Sequence, residues 1–193
     1  MGLGEIYTRE WFSHDFEHLQ PEFDVVADSI YRQFNPTHVV DVGCGPGMVV
    51  SRLRDLGVDA RGVEGSEHGI AAAKETVRPF LTLGDITDMR WLSRQPGHRQ
   101  IVICTEVAEH LDEKWAAHLV GLLCSAMCPV VFTAAPPGQD GHHHVNCQPP
   151  GYWQELFASR GAFYDSPATL ELRCRWRNLE RLSHMPRNVM VFR

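Results

Sequence analysis

Residues 37–57, THVVDVGCGPGMVVSRLRDLG, carry the pattern that decides the fold. The apolar run at 37–43 predicts a buried strand. Glycines at alternate positions follow, and a helical pattern then covers 48–57, where Gly57 ends it. The stretch therefore predicts a strand, a tight glycine turn and a helix, in that order.

The same alternation continues along the chain. Further strands are predicted at 58–65, 80–85, 100–106, 129–135, 162–165 and 188–193, and helices at 66–77, 113–127, near 150–161 and from Ser166-Pro167 onward. Ser66 is the predicted N-cap of the second helix. Strands separated by helix-length segments indicate βαβ crossovers. We therefore expect an α/β fold with a doubly wound, mainly parallel sheet, whose ligands bind beyond the carboxyl ends of the strands.

Length and composition indicate a soluble globular protein. The 193 residues fit a single domain, 1–193, with an N-terminal helical cap at 1–35 and a core at 36–193. No apolar run is long enough to span a bilayer, and the N-terminus has no export pattern, so we expect a cytoplasmic protein without membrane contact. The six cysteines are scattered and follow neither zinc-ribbon nor disulfide-scaffold spacing.

The net charge of −6 argues against a general affinity for polyanions. The C-terminal segment differs, since six arginines and one acid lie between Arg173 and Arg193. These arginines are interpreted either as a local anion-binding face or as a solvated helix surface. The sequence leaves the oligomeric state open.

The glycine turn predicts a ligand site, because glycines let the backbone approach a ligand without a Cβ in the way. The turn reads G-x-G-x-G, with Met48 where a dinucleotide fingerprint has its third glycine. Pro46 also removes one amide donor. These departures disfavour a pyrophosphate, whereas the acidic Asp41 suits a phosphate-free ligand that carries an amine.

With an acid followed by G-x-G-x-G, the chain resembles the class I S-adenosylmethionine-dependent methyltransferases. The resemblance extends over nearly the whole chain and implies a Rossmann-like, seven-stranded sheet with an antiparallel last strand. It implies that Glu64, at the end of the second strand, binds both ribose hydroxyls, and that Asp85 and the amide of Ile86 recognise the adenine. The full set implied for S-adenosylmethionine is Asp41, Gly43, Cys44, Gly45, Gly47, Glu64, Asp85, Ile86 and Glu106.

The fourth predicted strand ends in CTEVAEHL, residues 104–111. If a helix starts near Glu106, then Glu106, Glu109 and His110 share one face. Carboxylates so close together favour a cation between them. Acids in a first helical turn also favour the helix dipole, and methyltransferases that use no metal have a similar string, so this alternative stays open.

The E-x-x-E-H string also resembles the metal motif of two branches of the family, the ubiquinone-pathway O-methyltransferases and the small-RNA 3′-terminal 2′-O-methyltransferases. In both, a histidine from a later loop completes the ligand set. The loop GHHHVN at 141–146 offers three, and in an extended loop His142 and His144 would face one way and His143 the other. The resulting metal hypothesis is Glu106, Glu109, His110 and His144, with His143 as second choice for the last position.

Such a site suits Mg²⁺, Mn²⁺ or Zn²⁺, which would activate an acceptor hydroxyl for attack on the methyl group. Without a metal, His144 or His110 would act as general base. The predicted catalytic residues are thus His110, His144 and Glu109. Nearby side chains could also shape the pocket, although packing explains them equally well: Tyr7, Trp11, Asn146 and Trp153.

The sequence therefore predicts an S-adenosylmethionine-dependent O-methyltransferase that acts on a small-molecule hydroxyl. Two alternatives remain. One is an RNA 3′-terminal 2′-O-methyltransferase, with Arg173, Arg175, Arg177 and Arg181 as phosphate contacts. The other is a non-catalytic subunit that binds the cofactor.

Overall fold

A computed structural model describes residues 6–13, 16–89, 92, 95 and 97–193. The part of the 1–35 cap at 1–5 and 14–15 lies outside the described residues. The α-helices are α1 (Arg9–Ser13), α2 (Phe16–Phe34), α3 (Met48–Asp55), α4 (Glu67–Ala72), α5 (Ala116–Ser125), α6 (Pro150–Ala158), α7 (Ser166–Trp176) and α8 (Met185–Asn188). The strands are β1 (His38–Val42), β2 (Asp59–Glu64), β3 (Leu81–Leu83), β4 (Gln100–Cys104), β5 (Val130–Phe132) and β6 (Met190–Phe192).

In the described part of the chain, the strands form one sheet in the order β3-β2-β1-β4-β5-β6. All neighbours are parallel except β5 and β6, which are antiparallel. The order reverses at β1, so the chain builds outward to one side through β2 and β3 and to the other through β4 and β5. The doubly wound α/β class with an antiparallel last strand is therefore confirmed.

Both faces of the sheet are covered, as continuous apolar strands require. On β4, Ile101 and Ile103 point to one hydrophobic cluster, with side chains of α2, α3 and α7, whereas Val102 and Cys104 point to the other, with α5 and α6. The apolar run at 100–104 is therefore buried on both sides. Within the described residues, no helix is long and apolar enough to cross a membrane.

The predicted strand count is wrong by one over the described residues. Residues 162–165 form only an isolated antiparallel bridge, Tyr164 to Phe192, with backbone hydrogen bonds between Phe163 and Arg193. The pairing ends at Asp165, whose amide donates to the carbonyl of Val191 at 2.8 Å and whose carboxylate caps α7 by accepting the amide of Ala168 at 2.9 Å. Six strands and a bridge thus replace the seven strands.

Several helices are shorter than predicted. Gly57 lies two residues beyond α3 with φ of 82°, and the Ser66 hydroxyl caps α4 at the amide of His68, 3.3 Å away. The helix predicted at 113–127 begins as a 3₁₀ turn, Glu113–Trp115, and continues as α5. A further 3₁₀ turn, Ala108–His110, follows β4.

Candidate active site

The glycine turn lies at the carboxyl end of β1 in a left-handed conformation. Gly43, Gly45 and Gly47 have φ of 75°, 52° and 75°. A side chain on Gly43 would also collide with Val107, which follows β4. Glycine is required here both for the backbone conformation and for the close approach of two strand ends.

Glu64 ends β2 beside this turn. One carboxylate oxygen accepts the amide of Gly45 and the other the amide of Ser66, each at 2.8 Å. Burial raises the pKa of Glu64 although these amides oppose the shift. The carboxylate lines a cavity directly beside the glycine turn.

Asp41, on β1, is buried below the turn and also lines the cavity. Burial, and then the charge of Glu64, raise its pKa to about 7. Cys44 is buried in the turn, and burial raises the pKa of its thiol. Two carboxyls and the glycine turn therefore meet at the switch point of the sheet, where such folds bind ligands.

Asp85 and Ile86, which were both predicted to recognise the adenine, lie in different surroundings. Ile86 is buried in the cavity wall. Asp85 is exposed, and its Oδ1 accepts both the amide and the hydroxyl of Thr87 at 2.8 and 2.7 Å. Its carboxylate is thus engaged in a local turn rather than in the cavity wall.

Glu106 does not begin a helix, so the predicted common helical face is wrong. Its φ is 55°, a left-handed conformation that is uncommon for a residue with a side chain. Its Oε1 accepts the Thr133 hydroxyl at 2.7 Å, and its Oε2 lies 3.1 Å from Nε2 of His184. Burial opposes ionisation of Glu106, but the His184 contact outweighs it and lowers the pKa. Both oxygens of Glu106 thus have partners outside the predicted ligand set, although its side chain also contacts Glu109.

Glu109 is fully buried in the 3₁₀ turn. Its Oε1 accepts the amide of Ala135 at 3.1 Å, whereas Oε2 has no hydrogen-bond donor among the described residues. Burial and the neighbouring charge of Glu106 raise the pKa of Glu109. Its backbone carbonyl accepts the amides of Val145 and Asn146, which ties the histidine loop to the turn.

His110 and His144 face each other, with ring centroids 5.0 Å apart. Nδ1 of His110 lies 3.2 Å from the carbonyl of His143, and Nδ1 of His144 lies 3.0 Å from the carbonyl of Gln139. A carbonyl only accepts, so Nδ1 of each ring carries a proton, and in the neutral form of either ring the lone pair is on Nε2. Burial lowers the pKa of His110 to about 4, which keeps this ring neutral.

Three of the five candidate ligands come together. Glu109, His110 and His144 each offer one ligand atom, and these atoms lie within 4.8 Å of one another. Among the described residues, Glu106 and His143 do not belong to this group. His143 has φ of 53° and contributes its carbonyl to His110.

An aromatic cover lies over the histidines. Nε2 of His142 lies 3.1 Å from the carbonyl of Ile6, and Tyr7 contacts the rings of Trp11, His110 and His142 at centroid distances of 5.0, 5.6 and 5.8 Å. Tyr7 precedes α1 rather than lying on the same helix as Trp11. Burial raises the pKa of Tyr7, and the charges of Glu109 and Glu64 add to the effect.

Most of these groups line one cavity of about 340 Å³, whereas Asp85, Glu109 and His143 are not in its wall. Sequence reasoning missed its C-terminal wall, formed by Leu182, His184 and Met185, and the side chains of Leu19 and Phe23 from α2. No local motif marks these residues, since their place depends on contacts across the whole chain. The other two candidates serve in packing: Trp153 is buried against Phe132, and Asn146 donates to the carbonyl of Ala108 at 3.3 Å.

Comparison with known proteins agrees with this arrangement. A methyltransferase domain family matches residues 39–127. A ubiquinone biosynthesis O-methyltransferase of Methylococcus capsulatus is 36% identical over 77 residues, which are 38% of this chain and 32% of that protein. The matched stretch thus spans about a third of the curated relative.

Solved structures extend the likeness to most of the chain. Magnesium protoporphyrin IX methyltransferase from Synechocystis PCC 6803, with bound SAH, has a TM-score of 0.61 at 18% identity and covers 76% of this chain and 74% of its own. A SAM-dependent methyltransferase from Archaeoglobus fulgidus has a TM-score of 0.59 at 17% identity and covers 92% and 98%. The chain thus has the fold of these methyltransferases, and its residues 39–127 match a methyltransferase domain family.

Proposed function

We propose that the chain binds S-adenosylmethionine in the cavity beside the glycine turn and transfers the methyl group to a hydroxyl of a small acceptor. The glycine turn and the Glu64 carboxylate in the cavity wall support the cofactor. A carboxylate at this position can accept hydrogen bonds from two ribose hydroxyls. The Synechocystis protein of similar fold contains bound SAH, which supports a cofactor of this type.

The observation that carries the reaction type is the convergence of Glu109, His110 and His144, of which the two histidines line the same cavity. Both imidazoles present an Nε2 lone pair, and Glu109 presents a buried oxygen without a donor. A buried carboxylate oxygen without a donor is costly, which favours either a cation at this group or a proton on Glu109 that is shared with Glu106. It is therefore suited to hold an ion or to take a proton from a substrate.

The three side chains fit a divalent metal. In metalloproteins a histidine ligand usually donates its other ring nitrogen to a backbone carbonyl, as His110 and His144 do here. One carboxylate with two imidazoles suits Zn²⁺ or Mn²⁺ better than Mg²⁺, which prefers oxygen ligands and retains its waters. When bound, such an ion supplies Lewis-acid chemistry that favours ionisation of a nearby hydroxyl.

Residues of the chain would neutralise, position and shield the groups at this site. Glu109 would balance positive charge in the buried site, and the carbonyls of Gln139 and His143 would keep the two rings in position. Tyr7 and His142 would exclude water above them. In the alternative without a metal, His110 is kept neutral by burial and would accept the acceptor's proton at Nε2.

An oxygen acceptor is supported by the relationship to the Methylococcus O-methyltransferase. An RNA acceptor has less support, because at least two of the four predicted phosphate contacts already bind other groups of the chain. Arg173 donates to the carbonyls of Arg187 and Val189, and Arg175 pairs with Glu171 at 2.6 Å. We therefore favour a small-molecule acceptor.

Thermal unfolding tests whether the site binds a divalent metal ion. With EDTA removed, Zn²⁺ or Mn²⁺ at about one hundred times its Kd should stabilise the wild type by ~2.7 kcal/mol, or roughly 5–10 °C in Tm. Glu109→Gln should lose this rise, because the amide cannot replace the carboxylate as an anionic ligand. The exposed Glu113→Gln is the matched control and should keep it.

A wild type indifferent to every metal would contradict the metal site and leave the histidines as candidate bases. Transfer of labelled methyl from S-adenosylmethionine to hydroxyl acceptors separates catalysis from binding alone. Cofactor binding without transfer to any acceptor would instead favour the non-catalytic subunit.

A further inference from the structure

One side chain of α2, that of Glu22, binds the backbone of the segment between α7 and α8. Glu22 accepts three consecutive backbone amides: those of Glu180 and Arg181 at Oε1, 3.2 and 2.9 Å away, and that of Leu182 at Oε2, 2.8 Å away. We call this arrangement the Glu22 clasp. Partial burial opposes ionisation, but the three amides lower the pKa of Glu22.

The clasp joins parts of the chain that are 158 to 160 residues apart. Consecutive amides that converge on one anion form a strong anion-binding arrangement, because each hydrogen bond is charge-assisted. The segment at 180–184 consists of turns without regular helix or strand. Glu22 therefore supplies a fixed point that secondary structure does not provide.

The inner side of the same segment faces the cavity. Leu182 receives the clasp through its amide and lines the cavity with its side chain. Two residues later, Nε2 of His184 lies 3.1 Å from Glu106 Oε2, and both side chains also line the cavity. A shift of the segment would therefore move His184 relative to Glu106.

From this geometry we propose that Glu22 is a positioning residue, which holds His184 against Glu106 through the backbone of residues 180–182. The proposal rests on the proposed function in treating this cavity as the reaction site. Glu22 itself is not in the cavity wall, so its effect is indirect. The functional consequence is a preformed wall opposite the glycine turn, which would otherwise have to be ordered when ligands bind.

The test compares Glu22→Gln with the wild type by hydrogen exchange and by NMR of the His184 imidazole, assigned with His184→Gln. The Gln amide offers one oxygen, and its NH₂ group would face amide donors. We expect the amides of 180–182 to exchange at least tenfold faster and the His184 resonance to shift. The control is Glu180→Gln, which removes a neighbouring exposed carboxylate and should change neither reading.

An unchanged His184 resonance in Glu22→Gln, or an equal shift in Glu180→Gln, would overturn the proposal. If Glu22→Gln does not fold, Glu22→Asp keeps the charge on a shorter side chain and should give smaller changes in the same direction. No change in that folded variant would also overturn it. SAH titration of the wild type is read separately: no binding there would contradict the proposed function and leave the clasp result intact.

Discussion

Asp41 is a carboxyl whose burial beside the glycine turn opposes its ionisation. It is 4% exposed, lies near Glu64, and has a pKa raised from 3.8 to about 7. The native state thus binds a proton that the unfolded state has released between these two values. Stability attributable to Asp41 therefore falls as the pH rises through this range and is level above it.

Asp41→Asn should remove this dependence. We expect the free energy of unfolding of the variant, relative to the wild type, to rise between about pH 4 and 7 with a slope of at most about 1.4 kcal/mol per pH unit. Urea unfolding at several pH values measures it. Asp55→Asn, at an exposed carboxyl, should show no such rise; an equal slope in both variants would contradict the burial argument.

Single residues of the site were partly predictable. The string EVAEH and the loop GHHHVN contain the three side chains that converge, and both motifs follow strands whose carboxyl ends meet at one edge. His184 was missed because its partner, Glu106, is 78 positions away and no sequence pattern joins them. The contacts of Glu106 with Thr133 and His184 were missed for the same reason.

At the scale of elements, the histidine loop depends on a glycine. A side chain at Gly141 would collide with the ring of His144, although the backbone there does not require a left-handed conformation. Because the ring is the movable partner, Gly141→Ala should displace His144 without unfolding the protein. The loop would then hold one ligand of the candidate site out of place.

We expect Gly141→Ala to lower the metal-induced rise in Tm by at least half while the Tm without metal changes by only a few degrees. Gly151→Ala is the matched control, since a side chain there has open space. Differential scanning calorimetry with and without Zn²⁺ measures the difference. Full retention of the rise in Gly141→Ala would argue against His144 as a ligand.

Most elements follow from local patterns. The β-branched runs at 37–43 and 100–106 predicted β1 and β4 because a doubly covered parallel sheet needs strands that are apolar on both faces. The helix predicted from Glu106 failed because the close approach of Val107 to Gly43 and the bonds of Glu106 to Thr133 and His184 set the backbone there. Such tertiary contacts are absent from a local pattern.

At the scale of the whole molecule, the two ends of the described chain close the cavity built by the middle. The glycine turn and the strand ends form its floor, Tyr7 and α2 cover one side, and the segment before α8 covers another. The sequence predicted the floor, since motifs at strand ends share one edge of the sheet. The covers depend on contacts such as the Glu22 clasp, and the sequence did not indicate them.

The most direct test of the account is calorimetric titration of S-adenosylhomocysteine into the wild type and Glu64→Gln. The wild type should bind, and the variant should bind at least tenfold more weakly, about 1.4 kcal/mol, because the ribose hydroxyls lose a charged acceptor. Glu67→Gln, an exposed change three residues away, should bind like the wild type. Absence of binding to the folded wild type, or equal affinity in Glu64→Gln, would contradict the assignment of this cavity to S-adenosylmethionine.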